Sequence, residues 1–287
     1  MKNKNQHFVT EAYIKAWCDP STPNNGAFVW VFSKKDRSIR RKSPSSLFSE
    51  SDFYSIYDAN GNRILELEHQ LDNIENKFIS LRDNKLQSHL PLSLDDRKTI
   101  VLFISTMFAR TKRFKEEDKQ IWREYLDFIE TLPQDLSAKV KQTREYKDVQ
   151  ELHIKQPTPY RLFAIVNMAF SYLFLMKCAV YEINTKPGLI TSDNPCIWFD
   201  PAVANPNTPM TFYGLGSRTL NIILPISPKQ YISLEQHGPD GYIDLSNKPA
   251  IEEELVDPLN WLTVANADQF IVVNQKLFKE RWLENSK

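Results

Sequence analysis

Glycine is scarce in this chain: 7 residues in 287, against 17 prolines. So low a count argues against an all-β fold of tight glycine turns and against a glycine-rich nucleotide loop. Cysteine is scarcer still. Cys18, Cys178 and Cys196 lie far apart, and none sits in CxxC spacing. An odd, scattered set points to reduced thiols in the cytoplasm rather than a disulfide framework. An excess of either charge is missing as well, with 36 basic and 36 acidic side chains. No global field therefore draws in nucleic acid or anionic lipid, and such a contact needs a local basic patch. There is no P-loop, GxGxxG, HExxH or GxSxG, and His69, His89, His153 and His237 lack metal-ligand spacing. Residues 1–6 are polar and basic without an apolar stretch, unlike a secretory signal.

What is present is an ordinary globular mix, 41% hydrophobic and 25% charged, with aromatics at 12%. One stretch, residues 162–183, is apolar almost throughout. Its length would span a bilayer, but Asn167, Lys177 and Glu182 interrupt it and no basic flank orients it. It reads as a buried central helix, and the chain as one without a membrane segment.

Taken in order, residues 5–17 read as a short helix with Val9, Tyr13 and Trp17 on one face. Strands over 27–32 and 39–42 make a hairpin, and 53–57 a further strand. A helix over 63–87 carries the stripe Leu67, Leu71, Ile74, Phe78, Leu81. Ser93, followed by Asp95 and Asp96, caps a helix that is apolar on nearly every face through Ala109. An amphipathic, charged helix follows to about Glu130, and 139–156 is a polar, helical, mobile excursion. A helix is expected over 160–183. Strands are expected over 189–190, 196–199, 210–213, 220–225, 230–235 and 269–273, with a helix over 249–267 broken or kinked at Pro258. This order predicts an α+β fold in one domain over 1–287. A mixed or antiparallel sheet, built from the N-terminal hairpin and the C-terminal strands, packs on a central bundle of long helices. The helical middle runs over about 64–183 and the β-rich part over about 187–275.

Several polar residues fall where chemistry could use them. His7, with Gln6 before it at an expected helix start, suits a neutral imidazole acting as base or ligand; packing or capping is the plainer role. Glu68 and Glu75, seven apart on one helix, could serve as acid/base or metal carboxylates, or be a solvated flank. Arg110 lies on an apolar helix face and must be paired, either with Glu75 or Asp193 or with an anionic substrate. The Thr191-Ser192-Asp193-Asn194-Pro195 turn between two apolar runs could contact a ligand, or be an Asx turn and nothing more. Lys34, Lys35, Arg37, Arg40, Arg41 and Lys42 make the hairpin basic, with Phe28, Trp30 and Phe32 beside them.

Gln6-His7-Phe8-Val9, Tyr13-Ile14-Lys15, Phe53-Tyr54, Ile74-Glu75, Arg110-Thr111, Thr191 to Pro195 and Leu224 to Pro228 follow one another in an order that resembles the bacterial proteins grouped as domain of unknown function 4238. The resemblance spans nearly the whole chain. The pattern more often has a tyrosine where Phe8 stands, and a proline where Thr10 and Glu11 follow. The resemblance implies a soluble bacterial protein of one domain and brings no reaction; members look like accessory or defence-associated proteins.

Two functions are expected from these residues. In the first, His7, Glu75 and Asp193 are catalytic while Gln6, Arg110 and Asn194 bind substrate, in a cytoplasmic hydrolase or nuclease acting on phosphoesters of nucleotides or nucleic acid. A divalent metal would suit the carboxylates. In the second, the same residues form a structural network, and the chain is a binding or regulatory module. A partner protein or homo-oligomer stays open in both.

Overall fold

Asn5–His7 forms strand β1, not the start of a helix, and pairs antiparallel with residues 49–51. The structure, a computed structural model, describes residues 5–22, 26–58, 60–151, 157–201 and 214–284. Helix α1 (Glu11–Ile14) begins where the Thr10 hydroxyl accepts the Tyr13 N–H at 3.2 Å, and it tightens into a 3-10 turn over Lys15–Trp17. The expected helix over 5–17 is thus shortened by a cap, and His7 lies in a strand.

Strands β2 (Val29–Ser33) and β3 (Ile39–Lys42) form the anticipated hairpin. Three short strands follow: β4 (Ser49–Ser51), which is the partner of β1, then β5 (Ile56–Tyr57) and β6 (Arg63–Ile64). The strand expected over 53–57 is therefore broken. Phe53 and Tyr54 are buried in a turn, where the Tyr54 N–H donates to the Gln6 side-chain oxygen at 2.8 Å instead of to a sheet.

Helix α2 (Glu66–Leu81) buries Leu67, Leu71, Phe78 and Leu81 along the predicted stripe, then ends in one π turn, Arg82–Leu86. Helix α3 (Leu94–Ala109) starts with a reciprocal capping box between Ser93 and Asp96. It buries Ile100, Val101, Phe103, Ile104, Met107 and Ala109, so it is the central helix, and Phe103 stacks on Phe78 with centroids 3.8 Å apart. Helices α4 (Lys112–Thr131), α5 (Gln134–Gln142) and α6 (Arg144–Asp148) follow. The polar excursion is helical through α6, and residues 152–156 lie outside the described ones.

The long apolar run divides. Helix α7 (Pro157–Leu173) packs against α3 and stops, and strand β7 (Lys177–Glu182) begins four residues later. The expected helix over 160–183 fails there because residues 177–182 have strand partners on both sides. That gain outweighs the local apolar pattern, which cannot by itself separate buried helix from buried strand. Among the described residues no helix is long and apolar enough to cross a membrane.

Strands β8 (Thr191–Ser192), β9 (Ile197–Phe199), β10 (Asn221–Ser227) and β11 (Gln230–Glu235) follow. Residues 189–190 precede a strand instead of forming one, and 210–213 lie outside the described residues. Strand β12 (Gly241–Asp244) was not anticipated; it is half-exposed and runs parallel to β7. Helix α8 (Pro249–Asn266) continues through Pro258, and β13 (Phe270–Val273) and α9 (Arg281–Glu284) close the described chain.

The fold is α+β, with its main strands in two sheets instead of one. A five-stranded sheet of order β12-β7-β11-β10-β9 comes from the C-terminal half alone. A four-stranded sheet of order β3-β2-β13-β8 joins the N-terminal hairpin to the C-terminal strands, as expected. One apolar cluster runs from Phe8 to Val272 through α2, α3 and α7, and a smaller one gathers Trp30, Phe32, Val264 and Trp282 beneath the four-stranded sheet.

Polar bonds join the two halves of the chain inside this core. The buried Tyr13 hydroxyl donates to the Pro225 carbonyl and meets the Thr191 hydroxyl at 2.9 Å. Trp17 Nε1 donates to the Leu189 carbonyl at 2.9 Å. Tyr13→Phe strands the Pro225 carbonyl, and an unsatisfied buried acceptor costs about 1–3 kcal/mol. Urea denaturation should show that loss with an unchanged m-value; a loss within error would show that the bond contributes nothing.

Candidate ligand cleft and the polar network behind it

Arg110 ends α3 and is 1% exposed. A guanidinium so placed needs a full set of partners. It bonds the Glu75 carboxylate of α2 through Nη1 and the His7 carbonyl of β1 through Nη2, and Nη2 also reaches the Tyr54 hydroxyl at 3.3 Å. Burial alone would favour discharging Arg110, but the charge and hydrogen bond of Glu75, together with Tyr54 and Asp72, outweigh it and the pKa is raised. Gln6 completes the node: its Nε2 donates to Ser55 Oγ at 3.1 Å while its oxygen holds the Tyr54 N–H. The structure therefore brings Gln6, His7, Glu75 and Arg110 together. The part of His7 that Arg110 holds is the backbone carbonyl; the imidazole faces the Ser45 carbonyl at 3.3 Å. Glu68 belongs elsewhere and pairs with Arg63 at 2.8 Å.

Asp193 and Asn194, in the turn between β8 and β9, form a second node against the loop that joins α8 to β13. The Asp193 carboxylate accepts the N–H groups of Asp268, Gln269 and Phe270 at 2.9, 2.7 and 2.9 Å. Asn194 Nδ2 donates to the Asn266 carbonyl at 3.0 Å, and Asn266 Nδ2 returns a bond to the Asn194 carbonyl at 2.6 Å. The Ser-Asp-Asn-Pro turn is thus a latch that fixes the start of β13. Burial pushes the Asp193 carboxyl up to about 6, against the pull of the three N–H donors. Lys34, counted in the basic hairpin, closes the end of α8 by donating to the Val264 and Ala267 carbonyls at 3.0 and 2.8 Å.

Between the two nodes lies a cleft of about 280 Å³. Its apolar wall is Phe8, Val31, Leu47 and Phe48, with Phe270 at one edge. Its cations are Lys42 from β3 and Lys112 and Arg113 from the first turn of α4; its carboxylates are Asp193 and Asp268. Of the six residues expected to carry the chemistry, Asp193 lines this cleft. Gln6, His7, Glu75 and Arg110 stand behind its Phe8 wall, and Asn194 lines a separate small crevice with Asn266. Among the described residues, no three His, Cys, Asp or Glu side chains converge as a metal site requires.

Lys112 and Arg113 escaped the reading of the sequence, although a signal was there. Cations in a helix's first turn oppose its macrodipole, and α4 has no acidic residue in that turn. Arg113 leans on Glu117 at 2.8 Å, and Lys112 shares Glu50 with Lys115 at 2.9 and 3.2 Å. Such part-exposed pairs contribute little to stability, so both cations remain available to an incoming anion.

The fold and this cleft define an α+β protein with a charged, partly apolar recess between the four-stranded sheet, the β1–β4 segment and the start of α4. A family model described as "Protein of unknown function (DUF4238)" matches residues 5–276, and the chain belongs to that family. No curated protein and no solved structure matches it.

Two predictions concern the nodes. Glu75→Ala leaves the Arg110 guanidinium buried without its counter-charge and should destabilise the fold by about 3 kcal/mol; a loss under about 1 kcal/mol would show that Arg110 needs no carboxylate. Asp193 has a folded pKa raised above its unfolded value of about 4, so its contribution is full below pH 4 and is lost as pH rises through 6. The stability gap between wild type and Asp193→Ala should therefore shrink by about 3 kcal/mol between pH 4 and pH 7. Denaturation at a series of pH values measures it. A gap that widens with pH would mean that the three N–H donors prevail over burial.

Proposed function

We propose that this chain binds a nucleotide in the cleft between β3, the start of α4 and the start of β13. The observation that carries the reading is the pairing of Lys42, Lys112 and Arg113 with an aromatic and aliphatic wall in one recess. Cations at a helix start suit a phosphate, because the backbone N–H groups there add to their field. Phe270, 37% exposed, offers a face on which a base stacks. Exposed Asp268 supplies an acceptor for an exocyclic amino group. A volume of about 280 Å³ suits one small ligand rather than a protein surface.

A second reading keeps the same ligand and adds chemistry: phosphoester hydrolysis in a bacterial defence setting. One observation favours it. Asp193 lines the cleft with its carboxyl pushed up to about 6, near the working range of a general acid or base. The imidazole of His7 lies by Ser45, next to the cleft residue Ser46, and would serve as the partner base. A divalent cation would act here through the ligand's phosphate.

Titration calorimetry of the full chain with adenosine, cytidine, guanosine and thymidine monophosphates tests the first reading. Saturable binding is expected, weakened about tenfold or more in Lys42→Ala/Lys112→Ala. Lys141→Ala, whose partner Glu130 lies at the far end of α4, should bind as wild type does. No heat with any of the four nucleotides would overturn the reading. Incubation with Mg²⁺ or Mn²⁺ decides the second: turnover lost in Asp193→Asn with binding kept supports it, and binding without turnover by wild type excludes it.

A further inference from the structure

Strand β3 leads into the cleft at Lys42 and carries cations on three consecutive residues, Arg40, Arg41 and Lys42. Val29 pairs with Lys42 and Val31 with Arg40 in the β2–β3 ladder. Residues paired across a ladder project to the same face, and so do residues two apart on one strand. Val31 and Lys42 line the cleft, so Arg40 lies on that same face, one step further out. The opposite face is committed elsewhere. Trp30 and Phe32 belong to the core beneath the sheet, and the Arg41 guanidinium lies over Phe28 and Trp30 at 4.6 and 4.9 Å. Alternation thus sorts three consecutive basic residues: Arg41 into an aromatic stack, Arg40 and Lys42 toward the recess.

Their spacing matters. Two residues of extended strand advance about 6.7 Å, close to the separation of successive phosphates on an extended single strand. Arg40 is itself lightly held. It pairs with Asp36 at 2.8 Å, and both side chains are largely in solvent, so a phosphate can displace that carboxylate at little cost. Between the Arg40 step and Lys112 the chain offers a row of cations beside an aromatic wall. Single-strand sites combine those two elements, cations tracking the backbone and rings receiving bases.

We infer that the cleft receives the terminal nucleotide of a single-stranded nucleic acid, its own phosphate on Lys42, Lys112 and Arg113 and the preceding phosphate on Arg40. This rests on the nucleotide reading of the cleft and extends it from a mononucleotide to a polymer end. A duplex is a poorer ligand, because a terminal base must unpair before it reaches the recess.

Calorimetric titration of the full chain with thymidine monophosphate, tri- and hexathymidylate, and a hairpin duplex tests it. Affinity should rise several-fold from one nucleotide to three and then level off, because one added phosphate meets one further cation, Arg40. The slope of log K against log salt should steepen by about 0.7 from one nucleotide to three. Arg40→Ala should lower the ratio of trinucleotide to mononucleotide affinity several-fold and remove about 0.7 of that slope; circular dichroism verifies its fold. Lys141→Ala should leave the ratio unchanged. Mononucleotide binding with no gain for the trinucleotide would overturn the single-strand inference and leave the nucleotide cleft standing. A duplex that binds as tightly as the hexanucleotide would overturn it too. Absence of binding by every ligand would remove both.

Discussion

The structure turns on a buried guanidinium. Arg110 sits at the junction of α3 and α4, 1% exposed, and draws to itself Glu75 of α2, the His7 carbonyl of β1 and the Tyr54 hydroxyl. A buried charge is expensive unless it is paired; these partners meet the two terminal nitrogens of Arg110, while its Nε has no hydrogen-bond partner among the described residues. The consequence is geometric. Thr111 follows Arg110 and caps α4, so Lys112 and Arg113 enter the cleft at a position set by Arg110. Phe8 follows His7 and forms the facing wall. The same side chain therefore fixes both sides of the recess without touching its contents.

The Asp193 latch does for the third side what Arg110 does for the first two. It takes up three N–H groups at the start of β13, which places Asp268, Gln269 and Phe270 along the edge of the recess. The reciprocal bonds of Asn194 and Asn266 hold the end of α8 against the same turn. The polar residues that drew attention as chemistry also fasten the backbone. What they fasten is a surface of ordinary lysines, an arginine and aromatic rings. Asp193 alone does both, since its carboxyl bonds the backbone and lines the cleft.

Much of the helical framework was legible. The stripe on α2, the Ser93 cap and the all-round burial of α3 followed from spacing, because helix periodicity and capping are local properties. The division of 162–183 into α7 and β7 was not legible, since partners for 177–182 lie some fifty residues further on. The break at Phe53–Tyr54 depended likewise on a side chain 48 residues away, Gln6. That Arg110 would need a partner was legible, because a guanidinium on an apolar face demands one; the structure selects Glu75 over the alternatives Asp193 and an anionic substrate. That His7 would offer its carbonyl in place of its ring was hidden, as was the cleft, whose residues arrive from six separate stretches. A sequence marks a residue type well and the atom it will use poorly.

The account makes Arg110 the support of a binding surface, and Glu75→Gln tests this most directly. That variant keeps an acceptor for Arg110 and lies outside the cleft, so folding should survive while the support loses its charge. Mononucleotide affinity measured by calorimetry is predicted to fall several-fold, with Lys112 and Phe8 untouched. A folded Glu75→Gln protein that binds as tightly as wild type would contradict the claim that the buried pair shapes the recess.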